Sequence, residues 1–284
     1  MSKKFSMIVP AHNEGKNLLK FLKNVEGSDF REEKLDEIIV IASGKTGYVE
    51  KICEKMSLPI RLLTQRARKG KAAAINEGLK EVETELVVLS SADIVLDRRA
   101  IAEVLKEIEK RDVGLVTVRP VPETEDGSFT DYFVELIWGL HHEISKKEPK
   151  AGEMIGFKNV IERIPEDTAA DEEFIKAIVL KKGYESRYAS DAVVFNRGPD
   201  NVPDLFKQRR RVYIGHLDLE KRGKYCVPSM KTFFLLEALS KYIRERGLHP
   251  YLPLSLIFEV LARADAWVKY NIFGENPYKW ERVG

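Results

Sequence analysis

Four stretches of this chain carry side chains suited to gripping a diphosphate beside a proton acceptor. Residues 9–15 (VPAHNEG) close a short apolar run; Pro10 and Gly15 shape the loop, and Asn13 and Glu14 offer hydrogen bonds to a base or ribose. In RARKGKAAAIN, residues 66–76, four cations surround Gly70 and lead into a run of alanines. A helix N-terminus flanked by Lys and Arg suits a diphosphate, and small residues let the backbone come close to it. The third stretch, SSAD at 90–93, ends an apolar strand. Two carboxylates there would hold Mg²⁺ or Mn²⁺ against both phosphates. Only Asp93 is a carboxylate, and Ser91 offers a neutral oxygen, so a weaker metal requirement is expected. The fourth runs from Asp171-Glu172-Glu173, acids that suit a helix start, to Gln208-Arg209-Arg210-Arg211, a guanidinium cluster able to clamp a pyrophosphate. Each stretch has a plainer reading: a cap at 13–14, a solvated basic turn at 66–71, a turn at Asp93, and a surface patch at 208–211.

The elements that must position these residues follow from hydrophobic periodicity. Short apolar runs at 5–9, 37–42, 60–63 and 85–89 read as strands, separated by helices at 17–25, through Cys53, and at 72–80. A helix at 101–108 and a strand at 113–118 continue the alternation. Such alternation indicates a parallel sheet of nucleotide-binding type, whose ligand crevice lies beyond the carboxyl ends of the strands. A loop at 120–127 ends the regularity. Helices follow at 132–145 and 172–182, a strand at 192–195, and a basic helix at 204–216. Helices at 233–243 and 254–273 close the chain, the second with a wide apolar sector that includes Ile257, Val260, Leu261 and Trp267, which packing on the main domain explains most simply, a bilayer-surface helix being the alternative.

The chain has 284 residues, 44% of them hydrophobic, enough for one large α/β domain with appendages. Its 47 basic and 45 acidic side chains leave a net charge of +2, which argues against nucleic acid as a partner. Two distant cysteines, Cys53 and Cys226, fit a reducing compartment, and a cytoplasmic location is expected, with peripheral contact at the inner face of the cell membrane. The N-terminal apolar stretch is too short for a signal peptide, and no segment reaches the roughly 20 apolar residues of a membrane span. The histidines at 12, 141, 142 and 216 read as structural rather than as ligands.

Taken in order, PAHNE, RKGKAAAINEGL, SSAD, ADEEFI and QRRRV resemble the motif set of the inverting, nucleotide-sugar-dependent glycosyltransferases of family 2. The likeness is to the Gln-x-x-Arg-Trp subgroup, with Val212 where the aromatic often stands and without transmembrane helices. It implies the GT-A fold: an α/β, Rossmann-like, mostly parallel central sheet flanked by helices. Residues 1–220 would form this domain, nucleotide-sugar-binding to about residue 120 and acceptor-binding beyond, with 221–284 a C-terminal helical extension.

The resemblance also implies roles. Pro10, Ala11, Asn13, Glu14 and Ser43 would border the nucleotide, Ser43 replacing an acidic pair that many relatives carry. Gly70, Lys71, Asn76, Ala92 and Arg209 would complete the donor pocket. Asp93 would be the metal ligand, with Ser91 in the place of its usual partner. Asp171 would be the general base, Glu172 its neighbouring contender, and Gln208 and Arg211 would complete the catalytic set. The implied reaction moves a hexose from a nucleoside-diphosphate sugar, UDP-linked in preference to GDP-linked, to a glycan or lipid-linked hydroxyl, aided by Mg²⁺ or Mn²⁺. A sugar-phosphate nucleotidyltransferase and a non-catalytic sugar-nucleotide-binding subunit are the alternative readings.

Overall fold

The structure is a computed structural model that describes residues 3–125 and 127–279. Its first half alternates as the periodicity requires: β1 (Lys4–His12), α1 (Gly15–Glu26), β2 (Lys34–Ser43), α2 (Gly47–Cys53), β3 (Ile60–Gln65), α3 (Lys71–Glu81), β4 (Leu86–Ser90), the two-residue β5 (Val95–Leu96) and α4 (Ala100–Ile108). The second half adds β6 (Val113–Pro122), α5 (Phe129–Ser145), β7 (Met154–Lys158), α6 (Asp171–Lys181), β8 (Glu185–Asn196), α7 (Val202–Asp218), α8 (Thr232–Arg246) and α9 (Leu252–Asn271). Among the described residues the strands form one sheet in the order β3-β2-β1-β4-β7-β6-β8-β5. Pairings within β3-β2-β1-β4 and between β6 and β8 are parallel, whereas β7 runs antiparallel to both β4 and β6. The result is the curled, mostly parallel, helix-flanked α/β architecture that the alternation implies.

Both faces of the sheet are covered, which is why its central strands read as continuous apolar runs. Along β1, Phe5, Met7 and Val9 face one core, with Phe21 and Leu22 of α1, while Ile8 faces the other with Ile75 of α3. Each such side chain, fully buried, contributes about 1.5–3 kcal/mol. One glycine sets the position of α3. A Cβ on Gly78 would lie 2.8 Å from Ile8 Cγ2 and 3.1 Å from Ile41 Cδ1, so its absence lets α3 lie close against β1 and β2. That contact delivers the N-terminus of α3 to the carboxyl ends of those strands.

Three features depart from the periodicity reading. Residues 154–158 form a strand that was not expected, inserted between β4 and β6 with Ser90 opposite Met154. The expected loop at 120–127 begins later, because β6 continues to Pro122 beside β8. The last helix, α9, buries only part of its apolar sector: Phe258, Ala262 and Ala266 are covered, but Ile257 is 58% exposed and Leu261 57%. It meets α7 through Phe258 against Leu205 and Phe206, and beside this through ion pairs. Arg209 makes two 2.9 Å hydrogen bonds to Glu259, which also pairs with Arg263, and Arg210 reaches Asp265 at 3.1 Å.

Candidate active site

The carboxyl ends of β1, β2 and β4 open on a crevice made of two adjoining cavities, of about 230 and 300 Å³. Pro10, Ala11, Glu14, Ser43, Gly70 and Ala92 line the smaller one. Asp171, Glu172, Gln208 and Arg209 line the larger, together with an apolar wall that includes Phe133, Trp138 and Leu235. Lys71, Ser91, Asp93, Glu153 and Arg211 line both, so they stand at the boundary between the two compartments.

Local backbone explains several of these placements. Gly70 caps α3 at φ 104°, a conformation L side chains avoid, and thereby turns the chain so that Lys71 opens the helix facing the crevice. At the end of β1, Asn13 is left-handed (φ 57°), and its Oδ1 accepts from the Lys45 N–H at 2.9 Å. The side chain thus ties the β1 loop to the β2 loop. Beside it, His12 Nδ1 and Ser43 Oγ are 2.9 Å apart, and both residues line the smaller cavity. Asp171 is the first residue of α6, where the helix dipole favours a carboxylate.

Electrostatics concentrate on Lys71. Its ammonium lies 3.1 Å from Asp171 Oδ2 and also pairs with Glu172 Oε1. Burial alone would favour a neutral Lys71, but the two carboxylates outweigh it and hold the ammonium protonated. Asp171, only 4% exposed, is pushed up to about 6 by burial and by the charge of Glu172, against the pull of Lys71 and Arg211. Glu172 moves the opposite way: despite burial, Lys71 holds it below the usual carboxylate range. Glu153 is raised to about 7 by burial and by the charge of Asp93. Two neighbouring acids pushed in opposite directions, with one near neutrality, match what a proton acceptor beside a charge-holding partner requires.

Not every expected residue reaches the crevice. Asn76 is buried in α3 and lines neither cavity. Its amide exchanges two 2.8 Å hydrogen bonds with the backbone of Ile164, which fixes the loop before α6. Arg209 lines the larger cavity rather than the smaller, with its guanidinium held by Glu259. Asn13 belongs to the loop scaffold described above and is not on the cavity wall. Conversely, His12 and Glu153 line the smaller cavity although neither was singled out, and so does Arg68, one of the four cations around Gly70. The segment after α9 also reaches the site: Arg211 Nε donates to Pro277 O at 3.1 Å, and Tyr278 packs over Gly70.

Residues 6–163 match the family model for glycosyl transferase family 2, a match that ends before Asp171. Over 136 residues, 46% of this chain and 44% of the relative, the sequence is 25% identical to glycosyltransferase GlyG of Streptococcus pneumoniae. Over 255 residues, 84% of this chain and 59% of the relative, it is 24% identical to the poly-β-1,6-N-acetyl-D-glucosamine synthase of Staphylococcus epidermidis. The chain thus spans about half the length of these curated relatives. The mannosyltransferase PcManGT of Pyrobaculum calidifontis, solved with GDP-Man and Mn²⁺, superposes with a TM-score of 0.69 at 21% identity, covering 97% of this chain and 89% of that one. Residues 1–349 of TarS from S. aureus, solved with UDP-GlcNAc, superpose with a TM-score of 0.53 at 16% identity, covering 94% and 91%. At such identities the likeness concerns the fold, which is GT-A.

Proposed function

The chain belongs to glycosyl transferase family 2, and from that premise we propose that it transfers a sugar from a nucleoside-diphosphate donor to an acceptor hydroxyl with inversion. The observation that carries this reading is the shared boundary of the two cavities. Asp171, at the start of a helix, reaches into the larger compartment while its partner Lys71, with Asp93 and Arg211, lines both. The smaller compartment would take the nucleotide and the larger one the acceptor. The sugar would lie across the boundary.

Each side chain then has a task. Ionised Asp171 accepts the proton of the acceptor hydroxyl as that oxygen attacks the anomeric carbon. The bond to the diphosphate breaks on the opposite face, so one displacement inverts the configuration. Arg211 and Lys71 meet the negative charge that collects on the leaving diphosphate. Lys71 also keeps Glu172 ionised, which spaces two acids of opposite tendency one residue apart. Holding donor and acceptor in line across a narrow boundary supplies part of the acceleration.

A divalent ion fits the residues present. Among the described residues no group of three or more His, Cys, Asp or Glu could hold a metal by itself. Asp93, exposed in the crevice, offers the hard oxygen that Mg²⁺ or Mn²⁺ prefers, and these ions commonly complete their shells with substrate phosphates. Such an ion, when bound, would neutralise diphosphate charge. The metal-bound GDP-Man complex of PcManGT and the UDP-GlcNAc complex of TarS support a purine or pyrimidine nucleotide sugar as the donor.

The exposed apolar face of α9, with Ile257 and Leu261, supports a lipid-linked acceptor met at a membrane surface. No helix among the described residues is long and apolar enough to cross a membrane. Incubation with a panel of UDP- and GDP-sugars tests the proposal. Release of nucleoside diphosphate, with NMR of the product showing the opposite anomeric configuration, is the expected result. Pyrophosphate release from a nucleoside triphosphate and a sugar phosphate would instead favour a nucleotidyltransferase.

A further inference from the structure

We propose that Glu153, carried to the crevice by β7, supplies the carboxylate missing from SSAD and forms with Asp93 the protein side of a divalent-cation site. This rests on the glycosyl-transfer reading of the same crevice. β4 and β7 pair antiparallel with Ser90 opposite Met154, so the residue before Met154 lies beside Ser91. The Ser91 N–H donates to the Glu153 carbonyl at 3.0 Å, which fixes that neighbourhood. Position 91, where a first carboxylate would stand, therefore has a carboxylate next to it on the adjoining strand. Glu153, Ser91 and Asp93 line both cavities, so the replacement comes from another strand but reaches the same space.

A second observation points to a ligand. Asn196, at the end of β8, lines the larger cavity and is 8% exposed. Its Nδ2 donates to Glu153 Oε1 at 2.9 Å, while its buried Oδ1 has no hydrogen-bond partner. An amide oxygen left unpaired in a buried place costs free energy unless a hydrogen-bond donor or a cation satisfies it. Two carboxylates and one amide oxygen form a hard-oxygen set suited to Mg²⁺ or Mn²⁺, with phosphate oxygens to complete it. Of the two cations that line both cavities, Lys71 is engaged by Asp171 and Glu172, and Arg211 donates to Pro277 O. Glu153 is also held at φ 59°, a conformation uncommon for a residue with a Cβ.

The test compares parent, Glu153→Gln and the double variant Glu153→Gln/Ser91→Asp. Mn²⁺ is titrated alone and with UDP or GDP present, followed by Mn²⁺ electron paramagnetic resonance and by calorimetry. Glu153→Gln is expected to weaken Mn²⁺ binding at least about tenfold, with nucleotide affinity in EDTA unchanged. Adding Ser91→Asp is expected to return Mn²⁺ affinity to near the parent's, a rescue that a merely structural role for Glu153 would not give. Should Glu153→Gln fail to fold, Glu153→Asn takes its place, because Asn tolerates left-handed backbone. A Mn²⁺ isotherm indifferent to loss of the Glu153 charge would overturn the assignment. A parent that binds neither nucleotide, in EDTA or with Mn²⁺, would overturn the glycosyl-transfer reading instead, so the two failures are told apart.

Discussion

Replacing Asp171 by Asn should separate turnover from stability, and the structure sets the size and sign of both effects. Asn keeps the shape of the side chain but cannot accept the acceptor's proton, so transfer is expected to fall by about 10²–10⁴-fold. Stability should move the other way. In the folded protein, burial and the charge of Glu172 raise Asp171 from 3.8 to about 6. Its neutral form is therefore the one folding favours: that contribution is fully present below about pH 3.8 and is lost as pH rises through about 6. At pH 8 the parent carries a disfavoured buried charge worth up to roughly 3 kcal/mol, at about 1.36 kcal/mol per pH unit. Asn is neutral at every pH and removes it. For a domain of 150–250 residues each kcal/mol moves the melting temperature by about 2–4 °C. Scanning calorimetry at pH 8 and pH 4 should show the variant melting several degrees above the parent at the higher pH and level with it at the lower. Parent kcat/KM should also fall as pH drops below about 6, as Asp171 takes up a proton. An Asn variant with undiminished transfer would exclude Asp171 as the proton acceptor, and one less stable than the parent at pH 8 would exclude a disfavoured buried charge there.

Two further outcomes are expected. Glu259 is largely covered, yet Arg209 and Arg263 hold its carboxyl down from 4.5 to about 2; its contribution is present above pH 4.5 and lost as pH falls through about 2. Glu259→Gln should therefore cost about 3 kcal/mol at pH 7, read from urea unfolding; unchanged stability would mean that α9 is not held to α7 by this pair. If the exposed face of α9 meets a membrane, the parent should sediment with phosphatidylglycerol–phosphatidylcholine vesicles. The Ile257→Glu/Leu261→Glu variant, altered only at solvent-facing positions, should stay in solution with its melting temperature unchanged; equal sedimentation of both would remove the membrane contact.

What could be read from the sequence was what depends on neighbours along the chain. The cation–glycine–alanine run at 66–76 contains both the φ requirement at Gly70 and the start of α3. Three acids at 171–173 announce a helix N-terminus by the dipole alone. The strand–helix alternation, with its ligand end, follows from burial of both sheet faces. Residues that depend on distant partners were not legible. Nothing local marks Glu153 among the chain's 45 acidic residues; it matters because β7 inserts antiparallel beside β4, a choice of pairing made by tertiary packing. Asn76 looks like part of the phosphate-side motif, but a backbone segment 88 residues away claims its amide. Arg209 reads as one of a cluster of clamps, yet Glu259, fifty residues on, takes its guanidinium. The apolar sector of α9 read as packed against the domain, whereas the ionic seam to α7 leaves Ile257 and Leu261 facing outward.

One crevice is expected to take a nucleoside diphosphate between the ends of β1, β2 and β4 and the start of α3. Thermal unfolding with UDP, GDP, UTP and GTP, each with and without Mn²⁺, decides the matter. A nucleoside diphosphate at a hundred times its Kd should add about 2.7 kcal/mol of stability and raise the melting temperature by several degrees, more so with Mn²⁺. An unmoved melting temperature with both diphosphates, or a rise confined to the triphosphates, would contradict it.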